Sequence, residues 1–238
     1  MPSHSIGSKM NKLNSRSIIM IILIMLAGIL SSCQMSRMNI NPLNDYAHWH
    51  KRMVTFINEK DSIKTGSAIF FGNSITEGFD LEKYFPGMNT VNRGIVSDHI
   101  DGMILRMKTC LGDAEHAKLF ILIGINDVGA GRSEKEIKYL YRKMVKKIAK
   151  EYDYDVYLHS ILPTSPRWKN CPPQMIKNLN IYIEKLAKKY DMTFVNIYPM
   201  FKADDSDYAN EDLFRDGLHP NSRGYKIWAD HLKLTINN

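Results

Sequence analysis

Between residues 67 and 234 short apolar runs alternate with amphipathic stretches, and this alternation constrains the fold more than any other feature of the chain. The runs Ser67–Phe71 (stopped by Gly72), Thr90–Asn92, Leu119–Ile123, Val156–Leu162 and Thr193–Ile197 are five strand candidates. Runs this short and this apolar suit strands buried on both faces. The intervening segments have helical spacing. Asp45–Lys60 carries Tyr46, Trp49, Met53 and Ile57 on one stripe, and Asp98–Leu111 carries Ile100, Ile104 and Met107, with Asp98 placed as its N-cap. Ser133–Glu136 is a capping-box sequence that opens a helix through about Glu151. That helix turns Ile137, Leu140, Tyr141, Met144 and Ile148 inward and leaves Lys135, Lys138, Lys146 and Lys150 on a solvated face. Pro173–Tyr190 is a further helix, and Asn221 caps a last one ending near Leu234. Strands alternating with helices imply a mainly parallel sheet covered on both faces. The chain shows no internal repeat and no break in composition after residue 45, so 45–238 reads as one α/β domain.

Upstream of residue 45 the pattern is different. Ile18–Leu30 is thirteen residues without a charge, preceded by Lys9, Lys12 and Arg16. A spanning helix needs ~20 apolar residues, whereas a basic stretch, a short apolar core and then small residues form a secretory signal. Leu30-Ser31-Ser32-Cys33 resembles the lipobox of bacterial lipoproteins, in which the cysteine is acylated and becomes the new N-terminus. The resemblance implies a signal peptide over 1–32, lipidation at Cys33, a tether over 33–44, and an exported protein anchored to a bacterial membrane in the cell envelope. The other reading is a plain signal peptide or signal anchor with an incidental cysteine; a start at Met10 leaves both intact. Ten extended residues reach at most about 35 Å, which keeps the domain near its membrane.

Formal charge is +7, but three of the positive charges precede the tether and the remainder carries +4, so a nucleic-acid partner has little support. Of the three cysteines, Cys110 and Cys171 remain for the domain. In a doubly wound sheet each helix runs from the carboxyl edge back to the amino edge. Cys110 therefore falls at the amino edge and Cys171 at the carboxyl edge. A strand of about five residues spans ~17 Å, and bridged cysteines need Cα atoms ~4.4–6.8 Å apart, so no disulfide is expected.

Ligands of open α/β sheets bind where the strands end. The four segments at those ends are Gly72-Asn73-Ser74-Ile75-Thr76-Glu77-Gly78, Asn92-Arg93-Gly94-Ile95, Gly124-Ile125-Asn126-Asp127 and Asp216-Gly217-Leu218-His219-Pro220. Each alone is a common turn. Together they supply hydrolytic chemistry. A serine hydroxyl needs a base to take its proton, and the base needs a group to orient it. Ser74 fits the nucleophile, His219 the base and Asp216 the orienting carboxylate, since three residues in a tight turn let the carboxylate reach back to the ring. An oxyanion needs preorganised donors. The Ser74 and Gly94 backbone N–H groups and the Asn126 side-chain amide are the candidates.

These four blocks in this order resemble the SGNH hydrolases, the GDSL-type esterase and lipase superfamily. The residues that name it match Ser74, Gly94, Asn126 and His219, and the similarity runs from about Ile69 to Leu232. Asn73 departs from the name, which puts Asp before the serine; the nucleophile is unaffected. The resemblance implies a flavodoxin-like three-layer α/β/α sandwich with a five-stranded parallel sheet. It also implies a serine esterase working through an acyl-enzyme, with no cofactor and no metal.

The absence of a long lid-forming insertion favours a short acyl or acetyl group on a polar alcohol, such as a carbohydrate. The alternatives are a lysophospholipase, a thioesterase, or a platelet-activating-factor acetylhydrolase-like lipid esterase. A glycan-binding module that has lost its chemistry would lack a triad or oxyanion residue, and none is missing. Arg167, Trp168 and Tyr225 are candidates to line the cleft, and Glu77 either joins the site or charges the helix after Ser74. His48 and His50 lie on different helical faces, and His99, His116, His159 and His231 are isolated, so no metal site is expected.

Overall fold

The apolar runs form five strands: β1 (Ala68–Gly72), β2 (Thr90–Gly94), β3 (Lys118–Leu122), β4 (Asp155–His159) and β5 (Thr193–Val195). The computed structural model describes residues 44–112 and 114–237. The proposed signal peptide, Cys33 and the tether up to residue 43 lie outside the described residues. Every pairing is parallel, and the order is β2-β1-β3-β4-β5. This order reverses direction between β1 and β3, the place where a doubly wound sheet opens a crevice for a ligand.

The helices are α1 (Asn44–Asn58), α2 (Ser74–Glu77), α3 (Leu81–Tyr84), α4 (Ile100–Leu111), α5 (Ile125–Gly129), α6 (Glu134–Glu151), α7 (Pro173–Lys189), α8 (Tyr198–Phe201) and α9 (Ser222–Asn237). Strand alternation sends two different surfaces to the two helical layers. On one face Phe70, Phe120 and Tyr157 are direct register partners, and their rings stack at 4.7 and 4.6 Å. Trp228 of α9 joins this face, stacked on Phe79 at 4.5 Å and edge-on to His159 at 5.3 Å. The other face includes Phe71, and the Arg106 guanidinium of α4 lies 4.4 Å over its ring. On that side α1 packs on α4, α4 on α6, and α6 on α7. The result is the expected three-layer sandwich.

Several local expectations need correction. In α1 the buried residues are Met53 and Phe56, with Trp49 half-buried, while Tyr46 and Ile57 are exposed. The stripe is shifted because His48 and Arg52, on the neighbouring phase, turn inward to polar partners. Asp98 does not cap α4. His99 holds the N-cap position without a side-chain bond, and the Asp98 carboxylate is buried against Arg106. Strands β4 and β5 end earlier than their apolar runs because Ser160–Ser165 and Ile197 are a buried loop and turn rather than ladder. By contrast Ser133 accepts from the Glu136 N–H, and Asn221 accepts from the Arg223 and Gly224 N–H groups. Cys110 in the last turn of α4 and Cys171 before α7 are both buried and free.

Candidate active site

The site is built from the loops at the carboxyl edge of β1, β2 and β3 and from the turn before α9. After β1 the chain enters α2, whose N-cap Asn73 accepts from the Ile75 N–H at 3.0 Å. Ser74 is therefore the first residue of a short helix and stands half-buried at the edge of the sheet. Its Oγ lies 2.9 Å from His219 Nε2.

His219 is supplied by a turn that the local sequence dictates. Asp216 Oδ1 accepts from the Leu218 and His219 backbone N–H groups at 3.1 and 2.8 Å, while its Oδ2 lies 2.8 Å from His219 Nδ1. One carboxylate thus closes the turn and orients the ring. Gly217 makes the turn possible. Its φ of +77° suits glycine, and a Cβ there would fall 2.3 Å from Ser165 Oγ. Trp168 Nε1 donates to the Asp216 carbonyl at 3.1 Å, and the Ser165 N–H donates to the Gly217 carbonyl at 2.8 Å.

Burial pushes the Asp216 carboxyl up, but the hydrogen bonds from His219 and Leu218 outweigh it and hold it below the ordinary carboxylate range. An ionised Asp216 only accepts, so His219 Nδ1 carries a proton and donates it. That tautomer leaves the Nε2 lone pair facing the Ser74 hydroxyl, which donates to it. The arrangement can remove a proton from Ser74 and store it on the ring.

The candidate oxyanion donors are less uniform. Among the described residues the Ser74 N–H has no acceptor. Asn126, in the first turn of α5, uses one amide proton to donate to the Asp98 carbonyl at 2.9 Å. The bond fixes the amide and leaves its second proton available. The Gly94 N–H already has an acceptor, Asn92 Oδ1 at 2.9 Å. A Cβ at Gly94 would lie 2.2 Å from the Glu77 backbone nitrogen, so the missing side chain lets β2 pack against α2.

Sequence reasoning missed the supports around these groups. The Asn92 amide donates to the Thr76, Glu77 and Phe79 carbonyls and ties β2 to the end of α2. Arg52 of α1 donates to the Gly94 carbonyl from Nε and Nη2 at 3.1 and 3.0 Å. Glu77 is the acidic residue in the first turn of α2, the second of its two expected roles. It accepts from the Val96 N–H at 2.7 Å and lies 2.9 Å from His48 Nε2, bracing the loop after β2. Tyr225 is buried and donates to the Ile75 carbonyl, so it supports α2 instead of lining a cleft. Arg167 and Trp168 are exposed beside the Asp216 turn, with Arg167 3.6 Å from Glu211. Among the described residues no group of three His, Cys, Asp or Glu side chains could hold a metal ion.

A hydroxyl, an imidazole and a carboxylate in line at the carboxyl edge of a parallel sheet are the apparatus of an α/β serine hydrolase. Residues 70–227 match the GDSL-like lipase/acylhydrolase family, and the chain belongs to it; it is a carboxylic ester hydrolase of the SGNH type.

Solved structures agree with the fold. A GDSL-like lipase from Bacteroides thetaiotaomicron is 26% identical, with a TM-score of 0.67 over 78% of this chain and 97% of that one. A Streptococcus pneumoniae protein, provisionally described as a platelet activating factor, is 24% identical, with a TM-score of 0.73 over 90% of this chain and 99% of that one. An acetylxylan esterase from Geobacillus stearothermophilus is 18% identical, with a TM-score of 0.58 over 74% of this chain and 97% of that one. None of the curated proteins compared with the chain matches it.

Proposed function

We propose that the protein is a serine esterase that removes a short acyl group, an acetyl group above all, from a carbohydrate through an acyl-enzyme. The carrying observation is the continuous relay from Ser74 Oγ through His219 to Asp216, at 2.9 and 2.8 Å. Ser74 attacks the ester carbonyl as His219 Nε2 takes its proton. The oxyanion is received by the Ser74 N–H and the free proton of the Asn126 amide. The Gly94 N–H joins them by sharing or leaving the Asn92 oxygen. His219 then protonates the departing alcohol, and water repeats the cycle on the acyl-enzyme. Asp216 holds the ring in the required tautomer throughout.

The openness of the site supports the substrate class. The side chains of His219 and Asp216 are 21% and 40% exposed, so a bulky polar alcohol can approach them. Trp168 presents an indole beside the Asp216 turn, a flat surface for a sugar ring. The acetylxylan esterases among the structural neighbours are consistent with this reading. The lipobox-like sequence further supports an exported enzyme anchored by lipid at Cys33. Cys33→Ala would then abolish acylation, and mass spectrometry of the mature chain reads the outcome.

The substrate test is a panel of acetylated oligosaccharides, lysophospholipids and acyl thioesters assayed with the parent and with Ser74→Ala. The expected result is Ser74-dependent turnover greatest on the acetylated oligosaccharides. A preference for lysophospholipid would replace the glycan reading with a lipid one.

A further inference from the structure

On α4 the residues facing the sheet are Ile100, Met103, Met107 and Cys110, and Arg106 shares that face, fully buried. A guanidinium taken out of water must find partners for its donors, or its burial destabilises the fold. Arg106 finds them in three separate strands and loops. Nε donates to Asp98 Oδ2 at 2.7 Å, Nη1 to the Arg93 carbonyl at 2.8 Å, and Nη2 to the Gly72 carbonyl at 2.9 Å. A longer contact runs from Nη1 to Cys110 Sγ at 3.4 Å.

These partners are the anchor points of the oxyanion donors. Gly72 is the end of β1, two residues before Ser74. The Arg93 carbonyl and the Gly94 N–H are the two ends of one peptide unit. Asp98, the third partner, supplies the backbone carbonyl that accepts from the Asn126 amide. One buried side chain therefore ties together the segments that carry all three donors.

We propose that Arg106 is a positioning residue, which holds the Ser74, Gly94 and Asn126 donors in one register and polarises the Arg93–Gly94 peptide so that its N–H donates more strongly. The inference rests on the reading of Ser74 as nucleophile and of these groups as oxyanion donors. Its physical basis is twofold. Charge-assisted bonds to a carbonyl are stronger than neutral ones, and the three acceptors are each met by a different nitrogen of the rigid guanidinium fork, a spacing that the single nitrogen of lysine does not reproduce. A buried ion pair is a weak source of stability, which leaves the geometry it enforces as its main product.

The test uses the full-length protein with Arg106→Lys and, as a gentler disturbance that keeps every backbone carbonyl, Asp98→Asn. Three quantities are measured: kcat and KM on p-nitrophenyl acetate, inhibition by a trifluoromethyl ketone that adds to the serine as a tetrahedral oxyanion, and the fraction of active sites titrated by a fluorophosphonate. Per titrated site, Arg106→Lys is expected to lower kcat about 10²-fold, the scale for small displacements of catalytic groups. KM should stay close to the parent value, and ketone affinity should fall in parallel with kcat. Asp98→Asn should show the same pattern more weakly, and it carries the test alone if Arg106→Lys does not fold. In an Asn126→Ala background the Arg106→Lys loss should shrink, because one donor it positions is gone.

Unchanged kcat and ketone affinity per titrated site would overturn the inference. So would full multiplicativity with Asn126→Ala, which is what a merely structural loss gives. Either result, with Ser74→Ala inactive, defeats only the role of Arg106. Parental turnover by Ser74→Ala defeats the underlying reading instead.

Discussion

The two halves of the site are built on opposite principles. The base half, Asp216–His219, is a single turn in which one carboxylate makes every essential bond over a span of three residues. The oxyanion half draws on Gly72, Arg93, Asp98 and Asn126, which meet only because β1, β2 and β3 lie side by side. Exposure follows the same division. The Asp216 side chain is 40% exposed, whereas those of Arg106 and Asp98 are 0% and 4%. A local turn can stand at the surface because the carboxylate bonds that shape it are internal to it. A long-range clamp has to be buried to keep water from competing for its acceptors. Replacing the relay side chains should therefore remove chemistry and spare the fold, and replacing side chains of the second half should disturb both.

The sharpest break in that comparison is loss of the relay itself. Ser74→Ala and His219→Ala are each expected to lower kcat by about 10⁶-fold with the melting temperature nearly unchanged; steady-state ester hydrolysis and thermal melts check both. Asp216→Asn should cost about 10⁴-fold, since the ring loses its tautomer control while the turn keeps one acceptor. Asn126→Ala removes a single donor, and kcat should fall by ~10²–10³-fold. It also strips the Asp98 carbonyl of its donor, so, unlike the Ser74 variant, it should lower the melting temperature as well. Equal stability of the Asn126 and Ser74 variants would contradict the contrast between the halves. Gly217→Ala tests the local turn by strain alone. With φ at +77° and Ser165 Oγ in the way, it should cost about 1–3 kcal/mol of stability in a denaturant titration.

The smallest effect is on pH dependence. Burial drives His159 down to about 3 and, with help from Arg132, His99 down to about 4. Both rings stay neutral in the fold while the unfolded chain takes up protons as pH falls below the ordinary value of 6.5. Acid therefore favours unfolding through that window. Asp127 acts the other way, because burial lifts it to about 7 and the fold keeps a proton between 3.8 and that value that the unfolded chain has lost. His159→Asn, which keeps a donor for the Ile121 carbonyl, should flatten the loss of stability between pH 6.5 and 4 relative to the parent. An unchanged slope would mean that the ring is not held neutral.

What was legible in the sequence follows the same division. Short apolar strands, the Ser133 and Asn221 caps, and the Asp216-to-His219 spacing are local signals, and each reads directly from neighbouring residues. The helices Ser74–Glu77, Leu81–Tyr84, Ile125–Gly129 and Tyr198–Phe201 were not legible, because four or five residues are too few to display a helical period. The stripe of α1 slipped because His48 and Arg52 face Glu77 and Gly94, partners far along the chain. Asp98 reads as a cap from its position, but it is claimed by an arginine two turns away. Arg106 did carry a signal: a charged residue on the same helical face as Met103 and Cys110 needs buried partners. Only the structure says which ones.

The central claim is that Ser74, activated by His219, is the nucleophile. It is tested most directly by treating the parent, Ser74→Ala and His219→Ala with a fluorophosphonate and mapping the adduct by peptide mass spectrometry. The account predicts one phosphonyl group on the parent, located at Ser74, none on Ser74→Ala, and labelling slowed by orders of magnitude on His219→Ala. An adduct on another residue of the parent, or undiminished labelling of Ser74→Ala, would contradict it.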